Sequence, residues 1–417
     1  MNCRITGKPL TELFSLGELY ISDFILDEND YRGKGKYDLT MMLSPETRSL
    51  QLKTSVNKDL MYGKYWYRSG TNASMKQELK DIAEDAMKLH KKKSTGEKKI
   101  FLDIASNDGT LLGNLPAEKY TRIGIDPVKG YDEALERADI IIEDYFSKEI
   151  WDSKVNIGEK ADIITCIAMF YDLDDPTSFL KEIHDVMDDD GLFIIQQSYM
   201  PLMIQQLAFD NICHEHVFYH SLHSMEYMLN ETGFRIVDVK LNDVNGGSFR
   251  LYIQKKEAKI ESFYTAPFRD VANMRVDSLR AFEDSLKLDD LKTYDKFYKS
   301  ILELKTKTYD FVVNAKKEGK KIWVYGASTK GNTLLQWFGL DNTLIEAAAE
   351  RSPYKFGLKT IGTNIPIFAE EMMRQKQPDY LLVLPWHFIS EFKEREIKYL
   401  SKGGNFIIPC PEFNIIK

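Results

Sequence analysis

Cysteine is scarce in this chain. The four present, Cys3, Cys166, Cys213 and Cys410, are scattered through 417 residues and form no C-x-x-C pair. That excludes a disulfide framework and a four-cysteine zinc site, and it suits a reducing cytoplasm. No run of about 18 apolar residues occurs, so no membrane-spanning helix is expected. The start, MNCRITGKPLTELF, lacks an apolar core and reads as a mature N-terminus rather than a signal peptide. A basic excess is missing too. The formal charge of -8 is spread along the chain, which argues against nonspecific nucleic-acid binding but allows a local basic pocket. Neither G-x-G-x-x-G nor G-x-x-x-x-G-K is found.

What is present changes rhythm along the chain. Residues 1 to about 75 alternate short apolar runs with turn residues, and YDLTMMLS and RSLQLKT predict strands. NASMKQELKDIAEDAMKLHKKK opens with a cap-like Asn72 and keeps helical spacing to about residue 95. The charged KKKSTGEKK reads as a solvated linker and a domain boundary. Beyond it, KIFLDIAS, YTRIGIDP, ADIIIEDYF, KADIITCIAMF and LFIIQQSYM predict five strands. DPTSFLKEIHDVMDDDG predicts a helix closed by Gly191, and FRIVDVKLND with GSFRLYIQK a terminal strand pair. Residues 267–318 predict helices. A second unit then follows, from the strand KKIWVYGAS through the helix TKGNTLLQWFG, closed by Gly339, to the strands PDYLLVLPW and GNFIIPCP. Strands alternating with helices predict parallel, doubly wound sheets. A chain of this length exceeds one core. The expected fold is α/β: two such sheet domains joined by a helical connector, after a small β-rich module. The expected boundaries are 1–75 with a helix to about 95, 96–256, and 257–417.

FLDIASNDGTLLGNL places a polar, glycine-containing turn after a buried strand, where open α/β sheets bind ligands. Asp126 ends the next strand, at a spacing from Asn107 that suits an acid accepting from both ribose hydroxyls of an adenosine cofactor. A loop with one glycine suits a cationic cofactor such as S-adenosylmethionine better than a pyrophosphate, and Asp103 can face its amino-acid end. The alternative is a loop that binds nothing.

NICHEHVFYHS (211–221) holds three of the seven histidines. In a strand, His214 and His216 would share a face. The spacing is wrong for H-E-x-x-H on a helix. A metal would need a third ligand, for which His220 or Asp210 stands near. General acid–base chemistry is the competing reading, because histidine exchanges protons near neutrality. A plain polar segment is the third.

Other clusters are less specific. YWYRSGTN carries Tyr65, Tyr67 and Arg68, which suit a sugar or nucleotide as well as a packed turn. DVNGGSFR predicts a tight turn that brings backbone close to something. VYGASTKGNTLL puts Ser328, Thr329 and Lys330 at a helix start, a plausible phosphate site. LPWHF puts His387 at a strand end.

Taken together, and in order, YWYRSGTNASM, LDIASNDGTLL, GIDP, FDNICHEHVFYHSL, NGGSFRLYI, VYGASTKGN, GTNIPI and LPWHF give a chain that resembles the nucleotide-sugar C-methyltransferases, such as the NDP-hexose 3-C-methyltransferases. The resemblance spans nearly the whole chain. It implies a zinc-bearing N-terminal module, a class I S-adenosylmethionine-dependent methyltransferase domain and a C-terminal Rossmann-like domain. A nucleotide-linked 4-keto sugar would bind between the last two. It implies His216 as base, with Glu215 and His214 in the same site. Asp103, Ala105, Asn107, Asp108, Gly109, Asp126, Pro127 and Met169 would form the cofactor site. Tyr65, Tyr67, Arg68, Cys213, Tyr219, Ser328, Thr329, Lys330 and His387 would face substrate.

Two departures stand out. The family's N-terminal C-x-x-C pairs read CRIT and SPET here, with Thr6, Ser44 and Thr47 at thiolate positions. One remaining thiolate, Cys3, cannot hold a tetrahedral zinc, so the expectation is a module without metal. Cys213 stands where relatives carry a tyrosine, and IAMFYDLDDP lacks a histidine that they place after the fourth strand. The expected reaction is carbon methylation of a nucleotide-activated keto sugar through an enolate, with His216 as base and Glu215 positioning it. Methylation of a sugar hydroxyl, or an inactive nucleotide-sugar-binding relative, are the alternatives. Neither nucleic acid nor membrane is an expected partner.

Overall fold

The fold is built around a seven-stranded sheet in the order Phe234–Asn242, Ser248–Lys255, Met187–Ser198, Ala161–Ile167, Lys99–Ile104, Tyr120–Ile125, Ile140–Ile142. It was obtained as a computed structural model that describes residues 1–27, 35–62, 65–90, 98–259 and 268–417. Of the expected linker KKKSTGEKK, residues 91–99, the stretch 91–97 and the boundary in it lie outside them, and Lys99 already begins a strand. Ser248–Lys255 runs antiparallel to both neighbours, and the other pairings are parallel. The central strands are nearly continuous apolar runs because both faces are covered. Alternate residues serve opposite faces. Phe101, Ile163 and Ile194 pack under the helix Ala73–Leu89, whereas Leu102, Ile164 and Ile195 meet the helices Pro176–Val186 and Leu222–Glu231. Asn72 caps the first of these helices by accepting from the Ser74 amide at 2.9 Å.

The helix expected to close at Gly191 stops at Val186 instead. Met187 pairs with Ala161, so the growing sheet captures the chain and the strand runs through Gly191. A Cβ at Gly191 would stand 2.8 Å from the Met187 Cγ, so the glycine permits packing within the strand.

A six-stranded sheet follows in the order Ile367–Ala369, Ala347–Glu350, Ile322–Tyr325, Tyr380–Val383, Asn405–Ile408, Asn414–Ile416, with only the last strand antiparallel. Its first helix, Thr329–Phe338, ends in Gly339 at φ +74°, as the pattern predicted. The connector is two helices. Phe268–Leu286 lies on strand Phe234–Asn242, where Arg275 holds the buried Asp238 carboxylate through two contacts at 2.6 and 2.7 Å. Leu291–Lys317 reaches onward to the second sheet.

The N-terminal strands Thr11–Leu19, Tyr37–Ser44 and Ser49–Leu52 form an antiparallel sheet, completed by Phe218–Tyr219 from the central domain. Phe24–Ile25 pairs with Lys359–Thr360 of the C-terminal domain. The module therefore binds both larger domains.

In each large sheet the strand order reverses beside the first strand, between Lys99–Ile104 and Ala161–Ile167 and between Ile322–Tyr325 and Tyr380–Val383. Ligands of open α/β sheets bind at such switch points. The loops leaving both points line one shared cavity.

Candidate active site

The cavity measures about 590 Å³. Asp103, Ala105, Ser106, Asn107, Asp126, Pro127 and Met169 line one end of it. The loop after Lys99–Ile104 is tightly wound. Ala105 and Asn107 take left-handed φ values of +58° and +51°, unusual for side chains other than glycine. Asp126 holds the turn by accepting from the amides of Asn107 and Val128, each at 2.8 Å. Burial pushes the Asp103 carboxyl up to about 7, although the Thr165 hydroxyl donates to it at 2.6 Å. Ser106 Oγ is buried without a partner. This end thus offers acceptors for hydroxyl and ammonium groups and a free hydroxyl, a donor set that fits S-adenosylmethionine.

Asp108 and Gly109 support the loop from behind the wall. Asp108 accepts from the Gly70 amide at 2.8 Å and from the Thr110 hydroxyl. Gly109, at φ +73°, lies against Ala134, whose Cα would be 3.1 Å from an added Cβ. The YWYRSGTN segment straps this loop. Asn107 accepts from the Ser69 amide at 3.0 Å and donates to the Tyr67 carbonyl at 3.1 Å. Tyr65 and Tyr67 line the cavity. Arg68 does not: it binds Glu133 at 2.9 Å and sits between the rings of Tyr131 and Tyr354.

The histidine segment is a turn, and only Phe218–Tyr219 is strand. Its side chains therefore diverge. Glu215 and His216 reach the cavity. His214 turns to the N-terminal sheet, with Nε2 3.0 Å from the Tyr37 carbonyl. His220 packs on Phe218 and Phe170, with Nδ1 3.2 Å from Ser224 Oγ. A shared metal among these three is not what the turn builds. Cys213 and Tyr219 also stay off the cavity wall: the Cys213 amide donates to the Tyr219 oxygen at 3.4 Å, and that hydroxyl donates to the Asn211 carbonyl. The expected placement of His214, Cys213 and Tyr219 at the reaction centre is corrected accordingly.

The partner that orients His216 is Asn211 rather than Glu215. His216 Nδ1 donates to the Asn211 backbone oxygen at 2.8 Å, and its ring lies 4.1 Å from that of Tyr171. Burial first, and the charge of Lys330 second, hold the imidazole well below its ordinary pKa, so it is neutral at neutral pH. Nδ1 carries the proton, which leaves the Nε2 lone pair as the basic site. Burial lifts Glu215 to about 7, with Lys330 opposing.

Lys330 enters from the second switch point. Its Nζ stands 2.6 Å from Asn211 Oδ1. Ser328 also lines the cavity, but its hydroxyl caps its own helix by accepting from the Gly331 amide at 3.0 Å. Thr329 and His387 complete this wall, with burial driving His387 down to about 3. Trp386 closes the seam by donating to Asp210 at 3.1 Å. Two cavity residues were not singled out from sequence: Asp172, which burial and Glu215 push well above the usual carboxyl range, and Tyr62 beside it; nor was Asn211, which holds Lys330 and His216. Asp172 sits in the segment noted for its missing histidine and for Met169.

In the N-terminal module, Cys3 Sγ accepts from Gln51 Nε2 at 2.9 Å, and Thr47 shares a hydrogen bond with Ser49 at 2.8 Å. Cys3 and Thr47, two of the positions that the resemblance aligns with zinc ligands, are thus bonded within the protein.

The strand order, with its antiparallel penultimate strand and its cofactor loop at the switch point, defines a class I methyltransferase that depends on S-adenosylmethionine. The model of the methyltransferase domain family matches residues 72–239, and that of the C-methyltransferase C-terminal domain family matches residues 243–411. A stretch matching a methyltransferase domain is thus followed directly by one matching a C-methyltransferase C-terminal domain. C-methyltransferase NovU of Streptomyces niveus is 25% identical over 417 residues, covering 99% of this chain and 96% of that protein. Among solved structures, the magnesium protoporphyrin IX methyltransferase ChlM of Synechocystis PCC 6803, with bound S-adenosylmethionine, matches 43% of this chain and 79% of its own, at 12% identity and a TM-score of 0.32. A methyltransferase of Clostridium acetobutylicum matches 43% and 91%, at 15% identity and a TM-score of 0.33.

Proposed function

We propose that this enzyme methylates a carbon of a nucleotide-linked keto sugar, with His216 as the base. The observation that carries the reading is a neutral imidazole, fixed by Asn211 in one tautomer, on the same cavity as the cofactor loop and the second switch point. S-adenosylmethionine, when bound, supplies an electrophilic methyl group on a sulfonium. Asp126 would take the ribose hydroxyls, and Asp103 the ammonium.

The substrate carbonyl acidifies the neighbouring C–H. His216 Nε2 takes that proton, and the electron pair moves into the enolate. The enolate carbon then forms the new bond to methyl. The strap across the cofactor loop and the wall from the second domain exclude water and hold the reacting carbon in place, which supplies much of the acceleration. Glu215 lines the same cavity, its carboxyl lifted to about 7 by burial. NovU, a C-methyltransferase by name, supports carbon as the acceptor. No helix among the described residues is long and apolar enough to cross a membrane, and a cytoplasmic location fits four free thiols.

The test is a methyl-transfer screen against nucleotide-linked 4-keto sugars, read by mass for the gain of one methylene and by NMR for methyl on carbon. Methyl on oxygen, or no transfer across the panel, would refute the proposal.

A further inference from the structure

A base alone does not make an enolate. The oxygen beside the deprotonated carbon gains a charge, and a site without a matching cation or donor would hold that charge at great cost in a buried cavity. Among the described residues, Lys58 and Lys330 are the two cations on the wall. Lys58 lies over the Tyr145 ring, 3.8 Å from its centroid, and Tyr145 also feels Asp126 of the cofactor end.

Lys330 sits elsewhere. One residue, Asn211, holds both it and the base: the backbone oxygen takes His216 Nδ1 at 2.8 Å, and the side-chain oxygen takes Lys330 Nζ at 2.6 Å. Asn211 is itself rigid. It is 1% exposed, and its amide nitrogen donates to the Ala208 carbonyl at 3.1 Å and to that of Asn245 at 3.3 Å. Those two donations fix which way the side-chain amide faces, so its oxygen must point to Lys330. Ser198 donates to the same oxygen at 3.1 Å. The ammonium is held by a neutral amide, not neutralised by it, and it keeps N–H donors to spare. Its field reaches His216, Glu215, Asp172 and Asp210. A lysine at a helix start also suits a diphosphate, the role its sequence context suggests. Here, however, the side chain has crossed from the second domain to the catalytic turn.

We propose that Lys330 is a catalytic residue whose ammonium donates to the substrate oxygen that becomes the enolate oxygen. The inference rests on the keto-sugar reading above. Proton removal by His216 Nε2 breaks the C–H bond. The pair moves into the carbon–carbon bond as the carbonyl becomes an enolate, and Lys330 balances the new charge without giving up its proton. When carbon takes the methyl group, the carbonyl reforms and the sulfonium pair returns to sulfur.

The experiment compares wild type with Lys330→Met. Turnover is measured on the panel of dTDP- and UDP-linked 4-keto sugars. Binding of dTDP and UDP alone, and of S-adenosylhomocysteine, is measured by calorimetry. The expected result is a fall in kcat of at least about 100-fold, with KM and nucleoside diphosphate affinity changed by less than about threefold. If kcat is retained while diphosphate affinity falls, Lys330 is a phosphate contact and the proposal is overturned. If Lys330→Met no longer binds S-adenosylhomocysteine, Lys330→Gln takes its place, since it removes the charge and keeps a donor for Asn211. Should wild type turn over none of the panel, the keto-sugar reading falls and this inference with it. Turnover by wild type with kcat unchanged in the variant sinks the inference alone.

Discussion

His216 Nδ1 and the backbone oxygen of Asn211 lie 2.8 Å apart, and because a carbonyl oxygen only accepts, the ring proton is on Nδ1. Nitrogen-15 NMR of labelled protein should show His216 neutral and Nδ1-protonated at pH 7, and still neutral at pH 6. His216→Ala should lose methyl transfer by about 10²–10⁴-fold, with unchanged affinity for S-adenosylhomocysteine. Near wild-type turnover of this variant would remove the base from the mechanism.

Glu215 gives a stability prediction with a definite sign. Its folded pKa is raised to about 7 from an ordinary 4.5. Between those values the folded protein keeps a proton that the unfolded chain has released. Stability from this group therefore falls as pH rises through that window and is flat above it. Glu215→Gln cannot ionise, so it should melt higher than wild type at pH 8 and show no such gain at pH 4. The gain should be about 1–3 kcal/mol. An equal difference at both pH values would contradict the burial argument.

Asp126 fastens two amides and is the acid proposed for the ribose hydroxyls. Asp126→Ala should weaken S-adenosylhomocysteine binding by about 10- to 100-fold, the worth of one or two charge-assisted hydrogen bonds. Asp126→Asn should lose less, because an amide oxygen can still accept. Calorimetry decides it, and an unchanged Kd for the alanine variant would place the cofactor elsewhere.

Gly109 and Gly130 separate crowding from backbone strain. Both have positive φ, +73° and +83°, but an added Cβ meets Ala134 backbone at Gly109 and nothing within 4 Å at Gly130. Gly130→Ala should cost about 1 kcal/mol from conformation alone. Gly109→Ala should cost about 1–3 kcal/mol more, from crowding, and should also weaken cofactor binding. Equal shifts in Tm would rule out the contact with Ala134 as a cause.

The sheets were legible because their signals are local. Strand patterns such as YDLTMMLS and caps such as Asn72 and Gly339 depend on neighbours in sequence. Gly191 misled because a glycine after a helical stretch imitates a cap, whereas pairing of Met187 with Ala161 is a tertiary event. The site followed the same division. The cofactor loop and the acid at the next strand end are set by spacing, and both line the cavity. In the histidine turn, spacing says nothing about direction, so His214 and Cys213 could not be told from His216. Asn211 escaped notice because its importance lies in two hydrogen bonds, one of them to a lysine 119 positions away.

The pairing of Phe218–Tyr219 with Ser49–Leu52 carries a consequence for anyone building hybrid enzymes. Two residues after His216, the chain enters a sheet that belongs to the N-terminal module. A chimaera cut between that module and the central domain would therefore mismatch the strand that anchors the catalytic turn. Exchanges between relatives should move the N-terminal strands, through Ser49–Leu52, together with positions 211–221, as a single inherited cassette.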